Sequence, residues 1–216
     1  MKTRKTIVYG LLAVILTLAF TACSGSGGGG KSLNSATELK EYLDKQPGIS
    51  PDKPIKVAMK VNDMMLRDIV KVIKESNKYV SLDLSGSPLT TIPDSAFKDC
   101  KTLVGITIPN GVTSIGREAF SRCSSLASAT IPNSVTSIGS DAFVDCTSLA
   151  SITIPASVGL TRVTGEYYSV GYSAFLRWTA SQTINIQGKA NREATIAAGW
   201  INGWDDFCDA QIVYGK

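Results

Sequence analysis

Apolar and polar positions recur every 23 residues through the middle of the chain. The stretch Ile92–Phe97 is followed at that spacing by Ile115–Phe120 and then by Ile138–Phe143. A unit of this length buries its apolar side only against its neighbours, so the copies must stack around a shared core. The same spacing relates Cys100, Cys123 and Cys146; Leu103, Leu126 and Leu149; Ile108, Ile131 and Ile154; Pro109, Pro132 and Pro155; and Val112, Val135 and Val158. The spacing therefore predicts an α/β solenoid of about five turns.

Within each copy, apolar and polar residues alternate just before the proline, a pattern typical of a short strand with one buried face. Strands of successive copies are expected to pair in parallel, which aligns Thr107, Thr130 and Thr153 in an outward row. That row is interpreted either as a solvated face or as a contact with a partner. At the cysteine positions we expect a ladder of buried thiols, with a disulfide between neighbouring turns as the alternative, and no partner is assigned to Cys208.

Both flanks of the repeats are predicted to be caps, which a solenoid needs over its end turns. In residues 31–78, Ser35 and Glu38 form a capping-box signature, a strand-like alternation begins at Ile55, and a second helical stripe follows Asp63, where Asp63 is expected to be the cap. The sequence thus predicts an N-terminal cap of αβα type. The repeats themselves are assigned to residues 79–187, and residues 188–216 to an irregular, aromatic C-terminal cap. Its Trp200, Trp204 and Phe207 are interpreted as closing the core, with an exposed sugar-binding platform as the alternative.

The fourth copy departs from the pattern, because Phe175 lies 32 residues after Phe143 and nine residues have been inserted. Trp178 takes the position of the cysteine. Insertions in repeat proteins become loops on one face, and tyrosine and arginine are enriched at binding hot spots. The stretch is interpreted either as a recognition loop or as an inert excursion, and its candidate binding residues are Arg162, Tyr167, Tyr168 and Tyr172.

The first thirty residues have the pattern of an export and anchoring segment. Basic residues precede an uncharged, mostly apolar run of 14 residues, Ile7–Phe20, which suits a signal peptide and is short for a membrane span of roughly 20. Thr21, Ala22 and Cys23 then resemble a bacterial lipobox. The resemblance implies removal of signal peptide 1–22 and diacylation of Cys23, with an uncleaved anchor or a soluble secreted form as alternatives.

A Gly/Ser run at residues 24–30 follows the lipobox and is interpreted as a flexible tether, so that 23–30 form the lipidated cysteine and its linker. We therefore expect an exported protein held by lipid at the outer membrane or cell surface. Loss of residues 1–22 removes three basic residues and no acidic one, so the net charge of +4 becomes 4 − 3 = +1. A nearly neutral chain without clustered Lys and Arg offers no electrostatic footprint for nucleic acid.

The composition also bears on chemistry. The sequence has no histidine, which excludes Ser-His-Asp and Cys-His nucleophiles within this chain and removes the commonest zinc ligand. Glu118 and Asp141 lie one repeat apart, a spacing expected of a solvated face and not of a catalytic carboxylate pair. We predict a protein that is not an enzyme, with no catalytic residue, metal, cofactor or small-molecule substrate.

From Ile92 to Pro155 the repeats resemble the BspA-like type of leucine-rich repeat, with its pattern I-x-x-x-A-F-x-x-C-x-x-L-x-x-I-x-I-P. The resemblance implies a leucine-rich-repeat solenoid over residues 82 to about 186. Members of that family are surface-exposed or anchored, and several are adhesins. It therefore implies a cell-surface module whose partners are host matrix proteins or other cells. The alternative is an envelope scaffold that binds proteins of the same cell.

Overall fold

The computed structural model describes residues 33–47, 50–158, 174–175, 177–189, 194 and 208–215. In these residues, helices alternate with strands in an N-terminal segment, and short strands follow. The elements are α1 (Ala36–Asp44), β1 (Ile55–Ala58), α2 (Asp63–Ser76), β2 (Val80–Asp83), β3 (Thr91–Ile92), β4 (Leu103–Thr107), β5 (Ser114–Ile115), β6 (Ser128–Thr130), β7 (Ser137–Ile138), β8 (Ser151–Ile154), β9 (Thr183–Ile186) and β10 (Gln211–Tyr214).

The N-terminal segment has the α-β-α order expected from its sequence pattern. Helix α1 begins at the N-cap Ser35, whose hydroxyl accepts a hydrogen bond from the Glu38 amide at 3.1 Å. Asp63 was predicted to cap α2, but the N-cap is Asn62, whose side-chain oxygen accepts from the Met65 amide at 3.0 Å. Asn62 has the extended backbone that an N-cap requires. Asp63 is already in the first turn of the helix, where its negative charge interacts favourably with the positive end of the helix dipole.

The repeats form a parallel-strand solenoid of about five turns, as the 23-residue spacing predicts. One wall consists of β1-β2-β4-β6 and β8-β9-β10, with β6 beside β8. A second wall consists of β3-β5-β7. Between the two walls, the apolar residues of successive turns form one continuous core.

A stack of phenylalanine rings runs through this core along the solenoid axis. Phe97 and Phe120 have ring centroids 5.1 Å apart, Phe120 and Phe143 are 5.2 Å apart, and Phe143 and Phe175 are 5.9 Å apart. Trp178 closes the stack edge-on to Phe175 at 5.3 Å. All five side chains are at most 1 % exposed, so four successive turns each contribute one phenylalanine ring to a shared column, and the last of them adds Trp178.

The cysteine position forms a second column beside the rings. The Cys123 thiol donates to the Phe97 carbonyl oxygen at 3.1 Å, and the Cys146 thiol donates to the Phe120 carbonyl oxygen at 3.2 Å. None of the described cysteines, Cys208 included, is in a disulfide. The thiol ladder is therefore what the structure contains, because stacked side chains project in parallel and do not turn toward each other.

We expect the repeat thiols to resist alkylation while the protein is folded. Burial raises the pKa of the Cys100 and Cys123 thiols and raises that of Cys146 to about 12. Because the thiolate is the nucleophile, very little reactive species is present near neutral pH. In the chain from Ser24 onward carrying Cys208→Ser, iodoacetamide should modify no cysteine in buffer and all three in denaturant, as counted by mass spectrometry.

The control for this experiment is its pH dependence. The raised pKa values predict that the folded protein stays unlabelled between about pH 7 and pH 9. Labelling that rises steeply over that interval would show thiols with ordinary pKa values, and would contradict the buried ladder.

Close packing between turns also depends on glycine, and we expect Gly139→Ala to destabilise the protein by about 1–3 kcal/mol. A Cβ at residue 139 would lie 2.6 Å from the Arg117 amide nitrogen and 2.7 Å from the Gly116 carbonyl carbon. These are backbone atoms of the preceding turn, so relief requires the turns to separate. Urea unfolding of this variant and of Gly86→Ala provides the measurement.

Gly86 is a matched control because the nearest atoms to its added Cβ, from 3.2 Å, belong to the flexible Lys60 side chain. Gly86→Ala should leave the free energy of unfolding almost unchanged. Equal stability of the two alanine variants would show that the turns are not in tight contact at Gly139.

The C-terminal end differs from the irregular cap predicted for residues 188–216. Strand β10 is regular, and it pairs in parallel with β9 through Ile212 opposite Ile184 and Tyr214 opposite Ile186. Its three consecutive apolar residues, Ile212, Val213 and Tyr214, are all half-buried where the strand extends the sheet. Trp200, Trp204 and Phe207, the aromatic residues expected to close the core, lie outside the described residues.

Candidate protein-binding site

One regular surface of the repeats is the outward side of strands β4, β6, β8 and β9, which we call the hydroxyl face. Inward positions such as Ile106, Ile152 and Ile184 are buried, and the residues on either side of each point outward. The outward residues are Gly105, Thr107, Ser128, Thr130, Ser151, Thr153, Thr183 and Asn185. Strand pairing therefore arranges small polar residues in two rows across the solenoid.

The threonine row predicted from the alternation forms one of these rows. Thr107 lies opposite Thr130 in the β4–β6 ladder, and Thr153 lies opposite Asn185 in the β8–β9 ladder. Thr130 and Thr153 are exposed, and Thr107 is half-buried. The structure places all three side chains on one face, while their contact with a partner stays a prediction.

Sequence reasoning missed the second row, which lies two residues earlier in each strand. Gly105 lies opposite Ser128, and Ser151 lies opposite Thr183. The signal was available, because in a strand residues two apart share a face and each predicted threonine has such a neighbour. Gly105 itself is buried, because an added Cβ would lie 2.7 Å from Ser81 Oγ and 3.0 Å from Ser128 Oγ, so the neighbouring serines cover it.

Charged side chains occur on a different part of the solenoid, where they link successive turns. Lys98 Nζ lies 2.8 Å from Glu118 Oε2, and Arg177 Nη1 lies 3.3 Å from Asp145 Oδ2. The hydrogen bond from Lys98 lowers the pKa of the Glu118 carboxyl group. Desolvation by burial, with a contribution from Glu118, raises the pKa of Asp141. These carboxylates belong to an inter-turn network of partly exposed ion pairs, each of which contributes little to stability.

An open depression lies over β5 and β7 on the second wall. It is lined by backbone and small side chains, including Gly116 and Gly139, with Asp94 and Arg117 at one end. The Arg117 amide donates to Asp94 Oδ1 at 2.7 Å, so this carboxylate already accepts a hydrogen bond from the backbone of the next turn. The glycines are required by the close approach of adjacent turns, which accounts for the depression without a ligand.

The remaining predicted functional residues, Cys23, Arg162, Tyr167, Tyr168 and Tyr172, lie outside the described residues. In the part of the chain that the structure describes, no helix is both long and apolar enough to cross a bilayer. Within that same part, no three Cys, Asp or Glu side chains are grouped so as to hold a metal ion.

Comparison with known proteins identifies a family whose sequence pattern matches the repeats. The description "BspA type Leucine rich repeat region" matches residues 73–192, more than half of the chain, in six copies. The crystal structure of a leucine-rich-repeat protein of T. pallidum matches with a TM-score of 0.40 and 20% identity, over 79% of this chain and 82% of that chain. No curated protein matches the sequence significantly.

The match begins at Ile73, inside α2, so the second helix of the cap occupies part of the first copy. Leucine-rich repeats of this kind are protein-interaction modules and typically non-catalytic scaffolds, which is consistent with the wide surface described above. The repeats, the parallel-strand solenoid and the extent of the match lead to one conclusion: the chain belongs to the BspA-type leucine-rich-repeat family.

Proposed function

We propose that this protein is a lipid-anchored adhesin of the bacterial cell surface, which binds host matrix proteins or other cells. The observation that supports the proposal most directly is the hydroxyl face, a regular and exposed surface built on hydrogen-bonded parallel strands. A surface of this kind is preorganised, so binding loses little conformational entropy of the protein.

The N-terminal sequence supports the anchor in this proposal. Lipidation of Cys23 would leave the Gly/Ser tether between the membrane and the folded repeats. The first described residue, Leu33, forms a parallel bridge with Met59 beside β1, so the chain enters the domain at one edge of the main sheet. Many tethered copies would also raise avidity when each contact is weak.

The inserted residues are the second element of the proposal. Val158 is followed by ten residues before Ser169-Val170-Gly171, which correspond to Ser137-Ile138-Gly139 one copy earlier. A single residue, Thr136, separates Val135 from Ser137, so the extra nine fall between Val158 and Ser169. Arg162, Tyr167 and Tyr168 are in that stretch, and Tyr172 follows it. We assign these residues to partner contact because tyrosine and arginine dominate binding hot spots.

The test is a titration of the chain from Ser24 onward against immobilised matrix proteins. The matched variant lacks Leu160–Tyr168, which restores the 23-residue spacing of the other copies. Saturable binding to one matrix protein, weakened in this variant, would support both the adhesin and the contact role of the insertion. Binding that is equal in both forms would support the adhesin and remove the insertion from its site.

Exposure on the cell is tested separately by protease treatment of intact cells that produce the protein. An adhesin should be removed by added protease, and Cys23→Ser should release the protein from the membrane fraction. Protection from protease, together with no binding to matrix proteins, would overturn the adhesin and favour the envelope scaffold.

A further inference from the structure

We propose that the hydroxyl face is the docking surface and that it takes an uncharged, hydrogen-bonding stretch of another polypeptide, without ion pairs. The inference rests on the proposed protein-binding function and adds the chemistry of the partner. It is carried by the hydrogen bonding, the charge distribution and the shape of this face.

The first observation concerns hydroxyl groups. Away from this face, hydroxyls commonly donate to a backbone carbonyl of a neighbouring turn, as Thr136 Oγ1 does to Thr113 O at 3.1 Å. The residues that do so are Thr102, Thr113, Ser134, Thr136, Thr147, Ser148 and Ser157. On the hydroxyl face, by contrast, no serine or threonine hydroxyl makes such a bond to any described residue. Each therefore keeps one donor and two acceptor sites for a partner.

The second observation is the absence of charge from the face. None of its eight outward residues, which span Gly105 to Asn185, is Lys, Arg, Asp or Glu. The outward charges of the same sheet occur farther toward the N-terminal edge, at Asp83 and Lys56. An ordinary solvated surface has charged residues at roughly a quarter or more of its positions, whereas the buried cores of interfaces are depleted in charge.

Neutrality determines which partner the face accepts. A charged group pressed against it would lose water without gaining a counter-ion, which costs free energy. A peptide backbone instead offers one donor and one acceptor per residue, and these complement hydroxyls that both donate and accept. An uncharged polypeptide stretch therefore matches the chemistry of both rows.

The shape of the face favours the same partner. Its side chains are short, and at Gly105 the Ser81 and Ser128 side chains close over the backbone. Short side chains lose little rotamer entropy when they are ordered, so many weak hydrogen bonds can act together. Neighbouring strands lie about 4.8 Å apart, so the two rows form a strip across the strands that an extended segment can follow.

The experiment is selection of random dodecapeptides, displayed on phage, against the immobilised chain from Ser24 onward. The test variant is Thr130→Lys/Thr153→Lys, which puts two charges on the hydroxyl face. The matched control is Thr113→Lys/Thr136→Lys, which changes the same residue types at the same 23-residue spacing on the second wall. Circular dichroism and thermal unfolding check that both variants fold.

We expect selected peptides to be depleted in charged residues. Their Kd should change less than about two-fold between roughly 50 mM and 500 mM NaCl, because no ion pair is screened. The test variant should weaken binding by about ten-fold or more, since it buries unpaired charge, and the control variant by less than about two-fold.

Several results would overturn the inference. They are selection of charged peptides with steep salt dependence, recovery of no binding peptide, equal effects of the two lysine pairs, or competition by dextran, which would identify a neutral glycan as the partner. Failure of the proposed function is distinguishable from these results. Matrix-protein binding that is unaffected by Thr130→Lys/Thr153→Lys would retain the adhesin and reject this face. Protease protection on cells, together with no binding to matrix proteins, would reject the adhesin and leave the peptide-binding result standing.

Discussion

Phe120→Ala is expected to lower the free energy of unfolding by about 3–5 kcal/mol. The Phe120 ring is fully buried and stacks on Phe97 at 5.1 Å and on Phe143 at 5.2 Å. Its removal therefore opens a cavity between two neighbouring turns, and Phe143 cannot move into it without leaving its other stacking partner, Phe175. Urea unfolding followed by circular dichroism measures the loss.

Two variants control this prediction. Phe120→Leu retains most of the apolar volume and should cost less than Phe120→Ala. Phe97→Ala removes the ring at the end of the stack, which touches one aromatic neighbour instead of two, and its cost should be smaller. A Phe120→Ala loss below about 1 kcal/mol would show that the stack does not couple the turns.

The position of this stack was predictable because repetition leaves few alternatives. Phe97, Phe120 and Phe143 share one place in the 23-residue pattern, so any stacked arrangement aligns them. The same reasoning predicted the thiol column and the threonine row. It also placed Trp178 at the cysteine position across the nine-residue insertion, and Trp178 makes the hydrogen bond that corresponds to those of Cys123 and Cys146.

The second wall was not predictable from sequence pattern. Ile92, Ile115 and Ile138 share one place in the 23-residue pattern and are buried, yet their strands contain only two residues each. A periodicity of two cannot be recognised in a segment of that length. These strands are established by hydrogen bonds between turns, such as the Gly116 amide to the Ile92 carbonyl oxygen at 2.8 Å.

The left-handed backbone of the segments between the two walls could not be predicted from the sequence either. Glu118 and Asp141 have φ of 54° and 56°, and Arg122 and Asp145 have φ of 59° and 57°. Left-handed backbone is usually signalled by glycine or asparagine, and these positions contain neither. Hydrogen bonds with the next turn, such as the Glu118 amide to the Ser140 carbonyl oxygen at 2.9 Å, hold the conformation instead.

For the candidate site, alternation was enough to predict which residues face outward, but not which hydroxyls stay available. Thr113 and Thr130 are both exposed threonines next to short strands. The Thr113 hydroxyl donates to the Thr90 carbonyl oxygen at 3.3 Å, whereas that of Thr130 makes no such bond to a described residue. The difference depends on whether a carbonyl oxygen of the preceding turn lies within reach of the hydroxyl, and the apolar–polar pattern does not determine that.

Trp178→Ala is the second large effect that we expect, a loss of about 3–5 kcal/mol confined to the C-terminal turns. The indole is 1 % exposed and packs edge-on to Phe175, and its Nε1 donates to the Phe143 carbonyl oxygen at 2.9 Å. The backbone carbonyl of Trp178 also accepts from the Asp209 amide at 2.9 Å, just before β10. Hydrogen exchange should therefore show lost protection at the Gln211 and Gly215 amides.

Two substitutions at this position separate volume from hydrogen bonding. Trp178→Phe retains an aromatic ring but removes the indole donor, so the buried Phe143 carbonyl oxygen keeps only the Cys146 amide at 3.4 Å, and we expect a cost of about 1 kcal/mol. Trp178→Cys restores the donor used in the other turns but leaves the space of the indole empty, so it should cost more than Trp178→Phe. The reverse order would mean that the hydrogen bond, and not the filled volume, stabilises the C-terminal turn.

Equal loss of protection in β2 and β10 of Trp178→Ala would show that the solenoid unfolds as one unit, because nearest-neighbour coupling predicts that the effect decreases with distance from Trp178.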